Sequence, residues 1–574
     1  MYSRQLPSIM MIRDKPRRGH QYWSVVTSRR IADNPKPREQ TILYLGRLDN
    51  IDEPRRLDLE RKIRELAEPT ILNEFRAKLY SLGYKFPSPI SALTVEEVYD
   101  YGLPLALHKV CEDIQFVDVV NKHGYKGGGH SLGAIVEAMA IHRVSDPGSH
   151  RDLIRWYPTT TLPGYLRLKP DEFSYVSTLR ALDYLQPKHT IPMQIELYDN
   201  IRSAYGHKCD RLDIDLTSSY FEGWECLLAK LGYSRDHRSD RPQIVIGFVV
   251  DQEGILVTHK VWPGNRTDAT SLKPLNRLLK DEFKLDCPRV VDRGIATAEN
   301  LEYMDRRKER YLVALRAKIK STKLLDEITV PRSKWEEISE GEFAISIAKG
   351  RRKYVVNWNS EVAETNRKGR MAKVRKAEKK LKELKKKISE GRISSRKERD
   401  EEIGHILKKN KVRRFINIQG DRKGFGFRFE RNTKLDDPNQ YEGYQVFVTT
   451  EKHLTEKEIV SSYRARDEVE KAIETVKGAL GLRPMYVWTK EHVIGQIFVC
   501  AQAYQLRSVM AMRLKQANLG MSINDALWKL DRLKAVNIVV TGDEMQVIRK
   551  VTTMNKNQMA LVDIFKMQEG NGGL

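Results

Sequence analysis

Three acidic residues lie where a purely structural use is not the obvious one. Residues 211–221 (RLDIDLTSSYF) alternate Leu212, Ile214 and Leu216 with Asp213, Asp215 and Thr217, so a strand there carries both acids on one face. Asp is a poor strand former, and an Asp inside an apolar strand asks for an explanation. Asp292 ends the apolar run RVVD before Arg293-Gly294. Ligand sites in α/β sheets lie at such carboxyl ends of strands. Glu470 falls on a helix predicted to open at Thr455, whose spacing to Glu458 makes a capping box, and to end near 478–481. At about 100° per residue from Tyr463, Arg466 falls at about −60°, Glu470 at about −20° and Lys477 at about −40°, one polar stripe. Val469, Ala472, Ile473, Val476 and Leu480 lie beside it, so the stripe borders the buried face. Glu468 turns away; Asp467 and Glu474 are too close in angle to be separated from Glu470.

Carboxylates that converge on rigid elements hold hard cations such as Mg²⁺. Two such ions about 3.5–4 Å apart generate a nucleophilic oxygen and neutralise the leaving oxygen in phosphodiester chemistry. The same residues also have ordinary uses. An Asp at a strand end caps turns and helices, and Arg466, Glu470 and Lys477 fit surface ion pairs worth about 0.2–0.5 kcal/mol each. Residue types and spacing leave both readings open.

The elements that must position these side chains are legible as patterns. Residues 20–48 read as a β-hairpin, followed by a charged helix near 53–80. From 95 to 205 the apolar spacing is helical, punctuated by Gly127-Gly128-Gly129 and Asp146-Pro147-Gly148. After the 211–221 strand, two apolar runs around Asp251-Gln252-Glu253-Gly254 predict a hairpin. A helix, the strand RVVD, a helix and the strand YLVAL follow, a mixed α/β order. Between about 320 and 440 that order is interrupted. Residues 366–387 carry twelve Lys/Arg against two Glu, a pattern for a solvated helix. Strands are expected at RKGFGFRFE and GYQVFVTT, a second apolar helix over about 490–515, and a helical then extended tail. The resulting division is 1–94 (hairpin and helix), 95–205 (all-α), 206–320 (first part of an α/β core), 321–440 (mixed, partly β insertion), 441–520 (second part of the core) and 521–574 (C-terminal region).

The chain of 574 residues is long for one domain, and 40% hydrophobic residues supply a core. A net charge of +24 favours a polyanionic partner, nucleic acid first. Apolar runs are far shorter than the roughly 20 residues that span a bilayer, and the charged first residues do not read as a signal peptide. A cytoplasmic location and no membrane partner are therefore expected. Five dispersed cysteines without a CxxC pair argue against a zinc site or disulfide framework and read as buried thiols.

Tyr463, Arg466, Glu470 and Lys477 have the spacing Tyr-x2-Arg-x3-Glu-x6-Lys. This resembles the signature of one branch of the DDE transposases, the insertion-sequence group typified by the bacterial IS-four elements. DLTSSYFEG (215–223) is similar to that group's first-Asp motif, WPGNRTD (262–268) to its Pro-Gly-Asn segment and VDRG (291–294) to its second-Asp motif. LRPMYVWTKEHVIGQIFVC (482–500) is similar to the stretch after its catalytic helix, and LYLGRLD to the start of its longer members. Gln496 departs from the His that relatives often carry.

The resemblance implies an RNase H-like core interrupted by a mainly β insertion. It implies Asp215, Asp292 and Glu470 as catalytic ligands of two Mg²⁺ ions, with Mn²⁺ as a substitute. It also implies Tyr463, Arg466 and Lys477 at the DNA backbone; on the same reading the basic run 366–387 tracks DNA phosphate without reading sequence, and the DNA-binding module that recognises the ends is expected in 95–205 or the N-terminal region. The partners would be double-stranded terminal inverted repeats and target DNA, with a homodimer pairing two ends in a bacterial or archaeal, nucleoid-associated setting. An aromatic that traps a flipped base in a hairpin step has candidates in Trp335, Trp358 and Trp488. Three rival readings are weighed. Lys423-Gly424-Phe425-Gly426-Phe427-Arg428-Phe429 resembles an RNA-stacking motif but departs from it at Arg428 and Glu430, and a strand with three Phe on one buried face fits better. The others are a catalytically inactive DNA-binding descendant and a metal-dependent nuclease without strand transfer.

Overall fold

The computed structural model describes residues 9–29, 38–66, 69–84, 93–124, 130–315, 324, 327–393, 395–421, 425–432, 442–540 and 546–567. The glycine run 127–129, and Lys423 and Gly424, lie outside them. The chain separates into two units, Met1–Val98 with Val536–Lys550, and Tyr99–Ala535 with Val551–Leu574.

In the first unit the expected hairpin gains a strand. β1 (Ile9–Arg17), β2 (His20–Arg29) and β3 (Arg38–Gly46) form an antiparallel sheet in that order. Arg18 and Gly19, both at positive φ, make the two-residue turn that the strand twist prefers. Pro16 sits near the end of β1, where a proline is tolerated. The single helix expected near 53–80 is two, α1 (Glu53–Arg64) and α2 (Pro69–Ser81). β4 (Leu93–Asp100) is a strand where a helix was expected; its valines and threonine suit a sheet, and it pairs in a three-stranded sheet ordered β17-β16-β4 with β16 (Lys534–Val540) and β17 (Gln546–Val551).

The second unit opens with helices α3 (Gly102–Asp113), α4 (Phe116–Gly124), α5 (Leu132–Ser145), α6 (His150–Trp156), α7 (Leu162–Leu166), α8 (Tyr175–Tyr184) and α9 (Pro187–Tyr205). A mixed sheet follows, built from β5 (Leu212–Tyr220), β6 (Gln243–Asp251), β7 (Leu256–Pro263), β8 (Arg289–Val291) and β9 (Tyr311–Ala314), with α10 (Asp268–Arg277) and α11 (Ala298–Arg306) between strands. β5 pairs antiparallel with β6 and parallel with β8, and β8 is parallel to β9.

The region expected to interrupt this core divides in two. β10 (Glu336–Ser339), β11 (Glu342–Lys349) and β12 (Arg352–Asn359) join the same sheet through β15 (Tyr444–Thr449), giving the order β10-β11-β12-β15-β9-β8-β5-β6-β7. The rest forms an arm of α12 (Ser360–Ser389), α13 (Arg396–Lys409), β13 (Ile416–Gly420) and β14 (Phe427–Arg431) around its own core, including Val374, Leu381, Ile406, Leu407 and Phe415. α12 is 30 residues long and buries one narrow stripe, so most of its cations face water. Phe427 is buried, but Phe425 is 43% exposed and precedes β14, so the three phenylalanines do not share one buried face.

The helix expected from Thr455 to about 478 is also two, α14 (Glu456–Arg464) and α15 (Asp467–Lys477), with the Thr455–Glu458 capping box in place. α16 (Lys490–Gln516), α17 (Ile523–Asp531) and α18 (Lys556–Ile564) complete the chain. Four cysteines are buried and Cys209 is half-buried. The Sγ atoms of Cys209 and Cys287, distant in sequence, lie 3.1 Å apart. Among the described residues no helix is long and apolar enough to cross a membrane.

Candidate active site

The site begins where the parallel pairing of β5 with β8 ends. Ile214 of β5 is in register with Val291 of β8, so the next residues, Asp215 and Asp292, emerge side by side at the carboxyl end of the pair. The apolar face of α15, with Val469, Ala472, Ile473 and Val476, is buried, which leaves its acidic edge beside the strand ends.

Arg466 is the hub. Its Nη1 lies 3.2 Å from Asp292 Oδ1 and its Nη2 donates to Glu470 Oε1 at 2.6 Å. Burial pushes the half-buried Asp215 up to about 6, while Arg466 pulls it down and Asp292 pushes it further up. Asp215 is the strongest of the charges that hold Arg466 protonated against its burial. The guanidinium, 12% exposed, thus stands among all three acids, against 34% exposure for Asp292 and 53% for Glu470. No three His, Cys, Asp or Glu side chains among the described residues form a ready metal-binding group.

The break between α14 and α15 sets this geometry, because α15 begins directly after Arg466. Arg211 forms a bidentate pair with the buried Asp213 at 2.9 and 2.8 Å, and its Nη2 also donates to the carbonyl of Ala465 at 3.3 Å. Burial pushes Asp213 up to about 6 against the pull of Arg211. Asp213, on the same strand face as Asp215, is therefore already engaged. Because of the break, the angular stripe drawn through one continuous helix does not carry across Ala465; Arg466 meets Glu470 across the start of α15. Glu468 pairs with Lys471 at 2.7 Å.

Tyr463 packs on Phe447 with ring centroids 5.0 Å apart and lies under the Arg466 guanidinium at 5.6 Å. Lys477 is not free: its Nζ donates to Asp236 at 2.9 Å, and Asp236 also pairs closely with Arg483. Arg483 donates further to the carbonyl of Ser218 at 2.7 Å. Asp236 lies in the loop between β5 and β6. Arg235 in the same loop pairs with Asp268 and donates its backbone N–H to Ser218 Oγ at 3.1 Å. Gly264 lets the backbones meet there, since a Cβ would sit 1.9 Å from the Gln243 carbonyl oxygen. Asp236 and Arg483, and the hold of Arg211 on the Ala465 carbonyl, had no signal in residue spacing, because their partners lie in distant segments. Among the three tryptophans singled out, Trp335 is buried, Trp358 stacks on Phe343 beneath Arg332, and Trp488 is 60% exposed. The Oε1 of Gln496 accepts a hydrogen bond from Nε2 of the buried His150 at 2.9 Å.

A family model described as transposase DDE domain matches residues 210–506, from just before β5 into α16. Among solved structures, the chain is similar to the piggyBac transposase in its cryo-EM synaptic complex with hairpin DNA, at 11% identity and a TM-score of 0.37, over 75% of this chain and 79% of that chain. No curated protein matches the chain.

Proposed function

The chain belongs to the transposase DDE domain family, and on that premise we propose that it cuts DNA at the ends of an insertion sequence and joins the freed 3′-hydroxyls to target DNA. It is an enzyme of DNA transposition. The observation that carries the finer reading is the gathering of Asp215, Asp292 and Glu470 around one guanidinium. The order β7-β6-β5-β8-β9, antiparallel on one side and parallel on the other, supports an RNase H-like core. The Tyr463, Arg466, Glu470 and Lys477 order supports the IS-four branch.

The donor set suits divalent cations in kind: hard carboxylate oxygens, with the Asp215 carboxyl pushed up by burial. Asp215, Asp292 and Glu470 would hold two Mg²⁺ or Mn²⁺ ions, which supply the Lewis acidity for water activation and for the leaving oxygen. The chain's own residues do the positioning. Arg466 is placed to turn from the acids to the phosphate being cut, a charge-assisted contact that fixes register. Tyr463 props that guanidinium and meets the backbone near the cut. Lys477 reaches a terminal phosphate by exchanging its Asp236 partner for it, with Arg483 left to satisfy Asp236. Terminal inverted repeats and target DNA are the substrates, held in a synaptic homodimer.

Purified protein and its Asp215→Asn, Asp292→Asn and Glu470→Gln variants on labelled terminal repeats with Mg²⁺ provide the test. Each variant is expected to bind ends and to cut none. Cutting by any one of them refutes the triad. Wild-type cutting without strand transfer would make the protein a nuclease, and no wild-type cutting with firm end binding an inactive descendant.

A further inference from the structure

The arm carries a cationic pocket whose lining includes none of the three acids. A cavity of about 280 Å³ lies between α12 and the turn that follows α13, lined among others by Arg370 and Lys373 on one side and Lys411 and Arg414 on the other. Glu442 is its one acid, and it pairs with Arg370. That pair leaves the Arg370 Nε buried without a hydrogen-bond partner. Lys373 and Lys411 have no ion-pair partner among the described residues and are exposed. Thr365 and Asn366 add neutral donors at the rim. Both walls are anchored in the arm's own apolar core through Val374, Val412 and Phe415, so the cations are held apart by packed elements rather than gathered by a ligand.

We propose that this pocket seats one backbone phosphate of DNA outside the cleavage site, an inference that rests on the DNA-acting reading above. A phosphate fits because it accepts from several donors at once and its charge is offset by Lys373 and Lys411, whereas a neutral ligand would leave them uncompensated. The lysines farther along α12, such as Lys386 and Lys387, lie outside the pocket lining and serve as a matched control.

The full-length protein, Lys373→Gln/Lys411→Gln and Lys386→Gln/Lys387→Gln are compared for binding to labelled end duplex across salt concentrations and by phosphate-ethylation interference. The pocket variant is expected to flatten the log–log salt slope by about 1, the loss of one neutralised phosphate. It should also lose one ethylation-sensitive phosphate that the control retains, while still cutting ends at low salt, which shows that it is folded. An unchanged slope and footprint in a variant that still cuts refutes the pocket alone, as does loss of the same phosphate in the control. A pocket variant that binds inorganic phosphate less well without any change in its DNA footprint assigns the site to a free anion and also refutes it. Wild type that binds no DNA at any salt overturns both this site and the proposed function.

Discussion

Asp215→Asn should make the metal-free protein more stable while removing its activity. In the folded chain the Asp215 carboxyl is pushed up to about 6 from an ordinary 3.8, chiefly by burial. Between those values the folded state binds more protons than the unfolded state, so stability falls as pH rises through that window and the full penalty stands above it. Two units correspond to about 3 kcal/mol at most. Because the side chain keeps some contact with water, about 1–2 kcal/mol is the better expectation. Asn is nearly isosteric and carries no such penalty. At pH 8 with chelator, the variant should melt about 1–2 °C above wild type, because a chain of 574 residues unfolds with a large entropy. At pH 4, where the wild-type side chain is largely protonated in the folded state, the gap should nearly close. Added Mg²⁺ should stabilise wild type by binding and leave the variant unmoved, reversing the order. Thermal melts at the two pH values, with and without metal, read all of this. A variant that loses stability equally at both pH values would refute the burial argument, and one that is stabilised yet still cuts DNA would remove Asp215 from the site.

Other substitutions test the supporting shell. Gly264→Ala should destabilise by about 3 kcal/mol or more, because its Cβ meets the Gln243 and Lys230 carbonyl oxygens at 1.9 and 2.4 Å; a wild-type melting temperature would show that the 230–236 loop is not held there. Arg211→Met should lose about 3–5 kcal/mol by stranding the buried Asp213. Arg211→Met/Asp213→Asn should regain most of that without regaining cutting, since Ala465 is still unheld, and full cutting by the double variant would count against the positioning role of Arg211. Lys477→Ala should cost about 1 kcal/mol or less in stability, because Arg483 still satisfies Asp236. It should slow cutting of bound ends about tenfold, the equivalent of one lost contact of about 1.4 kcal/mol; normal cutting of bound ends would return Lys477 to a purely structural role.

Local periodicity carried much of the reading. Strict alternation in 211–221, apolar runs around a Gly-containing turn in 243–263, and three-to-four spacing through 102–205 are properties of one segment and survive into β5, β6, β7 and the helices. Position at a strand's carboxyl end marked Asp292, and the misfit of an acid in a strand marked Asp215. Where a segment's fate depended on a partner, pattern misled. Residues 93–100 have helix-compatible spacing but pair with β16, more than 430 residues on, and β10, β11 and β12 read as an insertion yet extend the main sheet. The helix from Thr455 contains no Gly or Pro to announce its break at Ala465, whose carbonyl is held by Arg211 from the start of β5.

Types, order and spacing of the acids and cations were thus determined by the sequence, because a strand or helix face follows from neighbours a few residues away. That Arg466 sits among Asp215, Asp292 and Glu470, and that Asp236 is shared by Lys477 and Arg483, only the tertiary structure decided. Parallel pairing of β5 with β8 and the packing of α15 beside them join segments that no local repeat relates, and the charges there take their partners from whatever the fold brings within a few ångströms.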